Sequence, residues 1–479
     1  MTDQAHLLTD RQMQDFITKG YIQIQTDFSE PLHDRIYQKL EEVFEKEGNP
    51  GNNILPRVPE ISQVFNHPAL TGALTSLLGP DYNLNPHRHC HLNPPGSKGQ
   101  SWHKDCYVFD HNLRHPRFHW LLALYYPQEV TTDMGPTGVL NGMHVCEKIS
   151  NPNPQQCSEE ELPLNGRAGT VNLVHFDAWH RALANTSTNK RYMLKFQFAR
   201  LAEPTTPTWQ HNGTDWLADE GPDSLALDVW HWLLGNKAPQ TQTPYNGDPN
   251  QLRQDLHHTS EIHRRRAAFS LASLAEDHIA LLLEDLDREA HEREQGIEDK
   301  TPDNAHGTNP TAFAAAQALV AMGPKAVPRV AAALNADHWL TRAALVDVLG
   351  TIGAPAADTV PLLIERLADD HWWVRRNAAE ALGRMHHAAA DAADPLGQAA
   401  GDTDRRVRRM AALALAQINQ ASTTALPHLQ KMLEDEDRYN RFYAGLALRR
   451  QPQSAAQDLL LDSLFNARWC PLTTNENMF

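Results

Sequence analysis

Long hydrophobic runs are missing from this chain. No continuous apolar stretch reaches the roughly 20 residues that a membrane-spanning helix needs, and Met1-Thr2-Asp3-Gln4-Ala5-His6 has neither a basic region nor an apolar core. Neither a membrane span nor a secretory leader is therefore expected. Cysteine is scarce too: Cys90, Cys106, Cys146, Cys157 and Cys470 are odd in number, scattered, and contain no Cys-x-x-Cys pair. That pattern speaks against a disulfide scaffold and for a reducing, cytoplasmic compartment. Positive charge is in deficit, with a formal net charge of -16, which disfavours nucleic acid or an anionic membrane surface as a partner. What the chain does have is length. Over 479 residues, 41% hydrophobic content suits two or three domains rather than one core.

The residues that carry chemistry lie between Ser101 and Arg191. Ser101-Trp102-His103-Lys104-Asp105-Cys106-Tyr107 opens this stretch, and Ala178-Trp179-His180 closes it, with Arg191 eleven residues further on. A histidine and a carboxylate two apart on a strand point to the same side, so a second histidine from elsewhere completes three ligands on one face of a metal. The opposite face stays open, as an oxygen-activating ferrous site requires. Two open positions suit a chelating 2-oxo acid and one suits dioxygen. If that acid is 2-oxoglutarate, its far carboxylate needs a fixed cation, and a guanidinium such as Arg191 forks onto a carboxylate with two parallel hydrogen bonds. His175-Phe176-Asp177 is a competing His-x-Asp, ranked lower because it lies too close to His180 to leave a strand for a third ligand.

Around these residues the pattern is short helices followed by many strands. Thr9-Asp10-Arg11-Gln12 reads as a capping box for a helix that stops at Gly20, and further helices are expected at Pro31 to Glu47 and Pro68 to Leu78. From Tyr82 to Asn93 the period becomes two, with Asn83, Asn85, His87, His89, His91 and Asn93 on one face, read as hydrogen-bonding walls of a barrel in preference to a second metal site. Trp120 to Tyr126, Thr137 to Leu140 and Gly169 to Asp177 read as strands. Asn185-Thr186-Ser187-Thr188-Asn189 reads as a hairpin turn, which would place His180 and Arg191 on adjacent antiparallel strands. The expected fold is a two-sheet jelly roll, a cupin-like double-stranded β-helix with helices outside one sheet.

Residues 7 to about 200 resemble the phytanoyl-CoA dioxygenase family of iron and 2-oxoglutarate oxygenases. Leu8-Thr9-Asp10 to Gly20-Tyr21-Ile22, Trp102-His103-Lys104-Asp105, Gly135-Pro136-Thr137, Phe176-Asp177-Ala178-Trp179-His180 and Asn185-Thr186-Ser187 carry the resemblance in the family's order. It implies a dioxygenase that hydroxylates or otherwise oxidises an unactivated carbon using Fe(II), 2-oxoglutarate and O2. It further implies that His103, Asp105 and His180 hold the metal and act in catalysis, and that Arg191 binds the cofactor, with Asn93 and Thr137 as further cofactor contacts. Two positions depart from the family's pattern. Asn141-Gly142-Met143-His144 replaces its Pro-Gly-Ser-His turn, and Lys104 stands where glutamine is common. Asp105 itself argues against a halogenase, which would have a small residue there.

Beyond a Pro-, Gly- and Trp-rich stretch containing a closing helix at Leu227 to Gly235, a repeat begins. Arg342, Arg375, Arg408 and Arg441 fall 33 residues apart, and Leu349-Gly350, Leu382-Gly383, Leu415-Ala416 and Leu448-Arg449 keep that step. The units resemble HEAT repeats of the short, PBS-lyase-like kind, which implies an all-α solenoid. Its recurring arginines read as an aspartate–arginine ladder between neighbouring helix starts rather than an anion-binding stripe. The expected organisation is an oxygenase domain at 1–203, a closing helix and linker at 204–258 with the boundary at Pro244 to Pro249, a solenoid at 259–465 interrupted over Asp287 to Asn309, and a tail at 466–479. A small-molecule substrate is expected, with the solenoid available for a protein partner or self-association. The alternatives are a protein or peptide hydroxylase that docks its substrate on the solenoid, and a non-catalytic interaction protein with a vestigial barrel.

Overall fold

The computed structural model describes residues 4–29, 31–105, 115–216, 224–235, 248–274, 278–295, 313–420, 422 and 424–466. Cys106, Tyr107, positions 244–247 of the expected boundary, most of the 287–309 interruption and the 467–479 tail lie outside the described residues.

Among the described residues the N-terminal half is built on eight antiparallel strands in two sheets. They are β1 (Tyr21–Gln25), β2 (Tyr82–Asn93), β3 (Trp120–Tyr125), β4 (Thr137–Leu140), β5 (Glu161–Pro163), β6 (Thr170–His175), β7 (His180–Ala182) and β8 (Arg191–Arg200). One sheet has the order β1-β6-β3-β8-β2 and the other β5-β4-β7. Alternation along β3 and β8 sorts their side chains. Leu121, Ala123 and Tyr125 join Tyr192, Leu194, Phe196 and Phe198 in a core shared with helices, whereas Leu122, Leu124 and Met193 share a second buried cluster with Val139 of the smaller sheet.

The helices over the first core follow local signals. Helix α1 (Asp10–Lys19) starts at the Thr9 capping box and ends on Gly20 in the left-handed region, and it buries Met13, Phe16 and Ile17. Helices α2 (Leu32–Glu47) and α3 (Pro68–Leu78) add Leu32, Ile36, Leu40, Leu70 and Leu74, and α4 (Ser224–Leu233) adds Trp230 and Trp232. Fully burying each large side chain contributes about 1.5–3 kcal/mol, so this layer stabilises the outer face of the sheet.

Two expectations about this region change. His180 and Arg191 are not on adjacent strands: β7 pairs with β4 through Val139↔His180, while β8 lies between β3 and β2 of the other sheet. The intervening segment keeps a local turn, with the Asn185 amide donating to Asn189 O at 2.8 Å, but it does not join paired strands, because the Leu183, Asn185, Thr186 and Ser187 N–H groups also donate to other stretches of the chain. Leu183 N–H donates to Pro136 O, Asn185 N–H to Ser97 O, and the Asn185 amide to Asn93 O, which carries the chain from one sheet to the other. The single polar face of β2 is also broken, because its pairing with β8 shifts between Leu84 and Arg88. Pro86 has no N–H to give the ladder. Past the break His89, His91 and Asn93 stand opposite Lys195, Met193 and Arg191, while Asn85 and His87 meet the C-terminal helices.

Those helices form a repeated array. Helices α5 (Glu261–Leu274) and α6 (Ile279–Gln295) precede the regular inner helices α7 (Trp339–Ile352), α8 (Trp372–Arg384), α9 (Arg405–Ile418) and α10 (Arg438–Arg450). The ladder has the form expected. Arg342 forks onto Asp369 at 2.9 and 2.9 Å, Arg375 onto Asp402 at 2.8 and 3.1 Å, and Arg408 onto Asp435 at 3.2 and 2.7 Å. Each of these arginines also donates to two carbonyls of the loop before its own helix. The repeated glycine has a packing cause: a Cβ on Gly350 would stand 2.6 Å from Ala381 Cα, and one on Gly383 2.9 Å from Ala414 Cα.

The array packs against the sheet half. Arg450 forks onto Asp81 at 2.8 and 2.8 Å, Tyr443 Oη accepts from Asn85 at 3.0 Å, and Tyr439 Oη lies 3.4 Å from His87 Nδ1. Arg293 of α6 meets Glu147 at 3.1 Å, and the Glu203 N–H donates to His386 at 2.9 Å. Among the described residues no helix is long and apolar enough to cross a membrane.

Candidate metal centre

His103 lies on an extended segment outside the main strands and is joined to β7 by one antiparallel bridge. Its N–H donates to His180 O at 3.1 Å, and the His180 N–H donates back at 3.0 Å. This brings the imidazoles to 4.5 Å between centroids. Asp105, two residues on, returns to the same side, and His180 Nε2 lies 3.7 Å from its Oδ1. Among the described residues these three form the metal-capable group, with one donor atom from each within 4.8 Å of the others. Ligands about 2.1 Å from an ion stand about 3 Å apart when adjacent, so small side-chain movements would close the set around one ion.

The hydrogen bonds around the imidazoles suit ligation. His103 Nδ1 lies 3.0 Å from Ser101 O, and His180 Nδ1 lies 3.0 Å from Ala178 O. A carbonyl can only accept, so each Nδ1 carries the proton and each Nε2 keeps its lone pair. Burial pushes the His180 pKa down to about 4 against the opposing pull of Asp105, which keeps the ring neutral near pH 7.

Asp105 is the charged member. Burial alone would raise its carboxyl, but the Lys195 ammonium, together with His180 and His103, holds it well below the usual carboxylate range. Lys195 Nζ donates to both Asp105 oxygens at 3.1 Å, and the two side chains are 9% and 6% exposed. A carboxylate has about four lone-pair sites, so these bonds leave others for an ion. Lys195 was visible in the sequence as a charge on the alternating strand that carries Arg191, but its partner was not, because the contact spans 90 residues.

Arg191 lies on β8 opposite Asn93 and is 1% exposed. Its Nε and Nη2 donate to Gly135 O at 3.0 and 2.8 Å. Among the described residues no carboxylate pairs with it. A buried guanidinium without a counter-ion is costly unless an anion arrives. Asn93 uses both amide protons on Gly135 O and Leu183 O, which leaves only its Oδ1, an acceptor, for anything else. Thr137 is buried at the start of β4, and its N–H donates to the hydroxyl of Tyr126 at 3.0 Å. Sequence reasoning missed Tyr126, which has no polar signature inside an apolar strand. Among the described residues the buried His91 Nε2 meets no hydrogen-bond partner. His175 and Asp177, the competing pair, lie apart from this group: His175 Nδ1 accepts from the Asp177 N–H, and the Asp177 carboxylate pairs with Lys104.

Comparison with known proteins follows the same division. Residues 19–193 match the family model described as phytanoyl-CoA dioxygenase, and residues 360–449 match that of HEAT repeats. No curated protein matches the chain. Among solved structures, the chain is similar to a non-heme alpha-ketoglutarate-dependent carbocyclase, SnoK from nogalamycin biosynthesis, at 19% identity and TM-score 0.34 over 42% of this chain and 88% of that one. It is also similar to EctD from S. alaskensis with 2-oxoglutarate and 5-hydroxyectoine, at 17% identity and TM-score 0.35 over 40% and 77%. A third, the non-heme monooxygenase ThoJ in a nickel complex, gives 16% and 0.33 over 47% and 96%. Residues 19–193 are thus similar to the phytanoyl-CoA dioxygenase family, and residues 360–449 are similar to HEAT repeats.

Proposed function

We propose that the chain is an Fe(II)- and 2-oxoglutarate-dependent dioxygenase that hydroxylates, or otherwise oxidises, an unactivated carbon of a small molecule. The observation that carries this reading is the convergence of His103, Asp105 and His180 with both Nε2 lone pairs available. In this reading the two sheets form a double-stranded β-helix, these three residues are the metal ligands, and Arg191 takes the distal carboxylate of the co-substrate beside Thr137 and, more weakly, Asn93. The domains are taken as 1–203, 204–258 and 259–465, with 466–479 as a tail. Iron held this way would activate dioxygen for attack on a C–H bond while 2-oxoglutarate is decarboxylated to succinate.

The protein's own residues prepare that chemistry. Ser101 O and Ala178 O fix the tautomer of each imidazole, so no proton has to leave before metal enters. Lys195 keeps Asp105 ionised and fixes its plane. Arg191, already stripped of water, would hold a carboxylate with little further desolvation cost.

Succinate release from 2-oxoglutarate, measured with ferrous iron and panels of small molecules and peptides side by side, tests the assignment. Asp105→Ala should abolish it. Turnover that survives this change would sink the reading, and turnover with peptides alone would transfer it to the protein-hydroxylase alternative. Cutting the chain near Asn250 is not a clean test, because Asp81, Asn85 and His87 would lose their partners on α10.

A further inference from the structure

Lys104 lies between two of the proposed ligands, and alternation along an extended segment turns it away from the side that His103 and Asp105 share. On that far side it meets the segment that bears the third ligand. Its ammonium is 2.8 Å from Asp177 Oδ2, with the two side chains 5% and 9% exposed, and it donates to His144 O at 3.3 Å. It also stands 5.5 Å from the centre of the Trp179 ring, whose Nε1 donates to Cys146 O at 2.9 Å. His180 follows Trp179 directly. Three separate stretches, 103–105, 144–146 and 177–180, are thereby drawn together around one ammonium.

The backbone tie between these segments runs to one side of the ligands. His103 bridges His180, the Gln100 N–H donates to Ala182 O at 2.9 Å, and the Ala182 N–H donates to Gln100 Oε1 at 3.1 Å. Among the described residues these backbone bonds end at His103, and Lys104–Asp177 is the next tie along the two segments. We propose that the Lys104–Asp177 pair is a positioning clasp for the metal centre, setting the relative orientation of the two imidazoles and Asp105 without touching the ion. A buried ion pair is a poor source of stability, because desolvation offsets most of its attraction, but it is strongly directional. The inference rests on the metal reading above. It also gives a reason for the lysine at this position: Asp177 is its counter-ion in the adjoining ligand segment.

The test is anaerobic titration of the metal-free full chain with Co(II), without 2-oxoglutarate or substrate. It follows the dissociation constant and the visible spectrum of the bound ion, with the thermal midpoint of the metal-free protein recorded in parallel. Groups that orient ligands typically change metal affinity ten- to a hundredfold when removed, so Lys104→Met should weaken Co(II) binding by about that factor and alter the spectrum. The double variant Lys104→Met/Asp177→Leu removes the leftover buried charge. It should recover much of the midpoint but not the affinity. Recovery of both would show that the pair only balances charge and would overturn the proposal, as would wild-type Co(II) binding by Lys104→Met. Should Lys104→Met not fold, Asp177→Asn keeps the size of the residue and an acceptor while removing the charge; weakened affinity supports the clasp and unchanged affinity refutes it. His103→Ala separates the two readings. Tight Co(II) binding in that variant removes the metal assignment itself, whereas its loss there, beside an unaffected Lys104→Met, removes only the clasp.

Discussion

Replacing Arg191 by methionine should cost the protein its grip on one end of 2-oxoglutarate and little else at the metal. The guanidinium is 1% exposed and uses Nε and Nη2 on a single carbonyl, Gly135 O, so it meets an incoming carboxylate already positioned and dry. Hydrogen bonds to charged groups contribute about 1.5–3 kcal/mol each, so a forked pair should be worth about 3–6 kcal/mol. At about 1.4 kcal/mol per decade, the dissociation constant should rise by roughly two to four powers of ten. Calorimetric titration of Mn(II)-loaded protein under nitrogen measures this, with 2-oxopentanoate as a second ligand because it keeps the chelating end and lacks the far carboxylate. Wild-type protein should strongly prefer 2-oxoglutarate, and Arg191→Met should bind the two nearly alike. Arg191→Lys, which retains charge without the fork, should fall between them. If Arg191→Met discriminates as sharply as wild type, the distal carboxylate lies elsewhere and the reasoning from a buried, unpaired cation fails.

Further outcomes follow from the same structure. Gly135 has φ +67°, and a Cβ there would come within 2.5 Å of Asn93 Nδ2 and Leu183 O, so Gly135→Ala should cost at least about 1–2 kcal/mol in denaturant unfolding and also weaken 2-oxoglutarate binding by moving the carbonyl that holds Arg191. Burial, assisted by Lys104, pushes the His175 pKa down to about 3, so the unfolded chain takes up a proton below about pH 6.5 that the folded chain does not. Stability should therefore fall with pH between about 6.5 and 3, by up to about 1.4 kcal/mol per pH unit from this group, and His175→Gln should flatten denaturation midpoints measured at pH 7, 6 and 5. Asp402→Ala strips Arg375 of both its forked bonds and should destabilise the array by about 2–4 kcal/mol, followed by loss of helical circular dichroism; Arg375→Met/Asp402→Leu should recover most of that.

Signals carried by a few neighbouring residues were readable before any coordinates. The capping box at Thr9, the stop at Gly20 and the 33-residue step with its arginine–aspartate rungs depend on local geometry or on repetition, and the structure has them as read. His103, Asp105 and His180 were singled out because a two-residue spacing on an extended segment already fixes a shared side. What the sequence hid were choices made by long-range pairing. Nothing local in residues 183–190 tells whether the chain turns back on itself or crosses to the other sheet; the answer lies in carbonyls at Pro136, Ser97 and Asn93. Lys195 and Tyr126 acquire meaning only from Asp105 and Thr137, and Lys104 only from Asp177. The packing of α10 on β2 joins residues more than 350 positions apart, and no periodicity announces it.

Strand β2 is the outermost strand of its sheet, and an outermost strand offers bare peptide groups to any other chain it meets. Here the exposed rim is muffled. The Asn52 side chain takes the Arg88 N–H at 3.0 Å, Asn49 donates to Cys90 O at 3.2 Å, and the tyrosines of α10 sit over Asn85 and His87. The helical repeats thus act as a sheath for the sheet as well as a surface in their own right. Separated from them, the sheet half would display an adhesive border, and filament formation or precipitation would be the natural fate of the amputated piece.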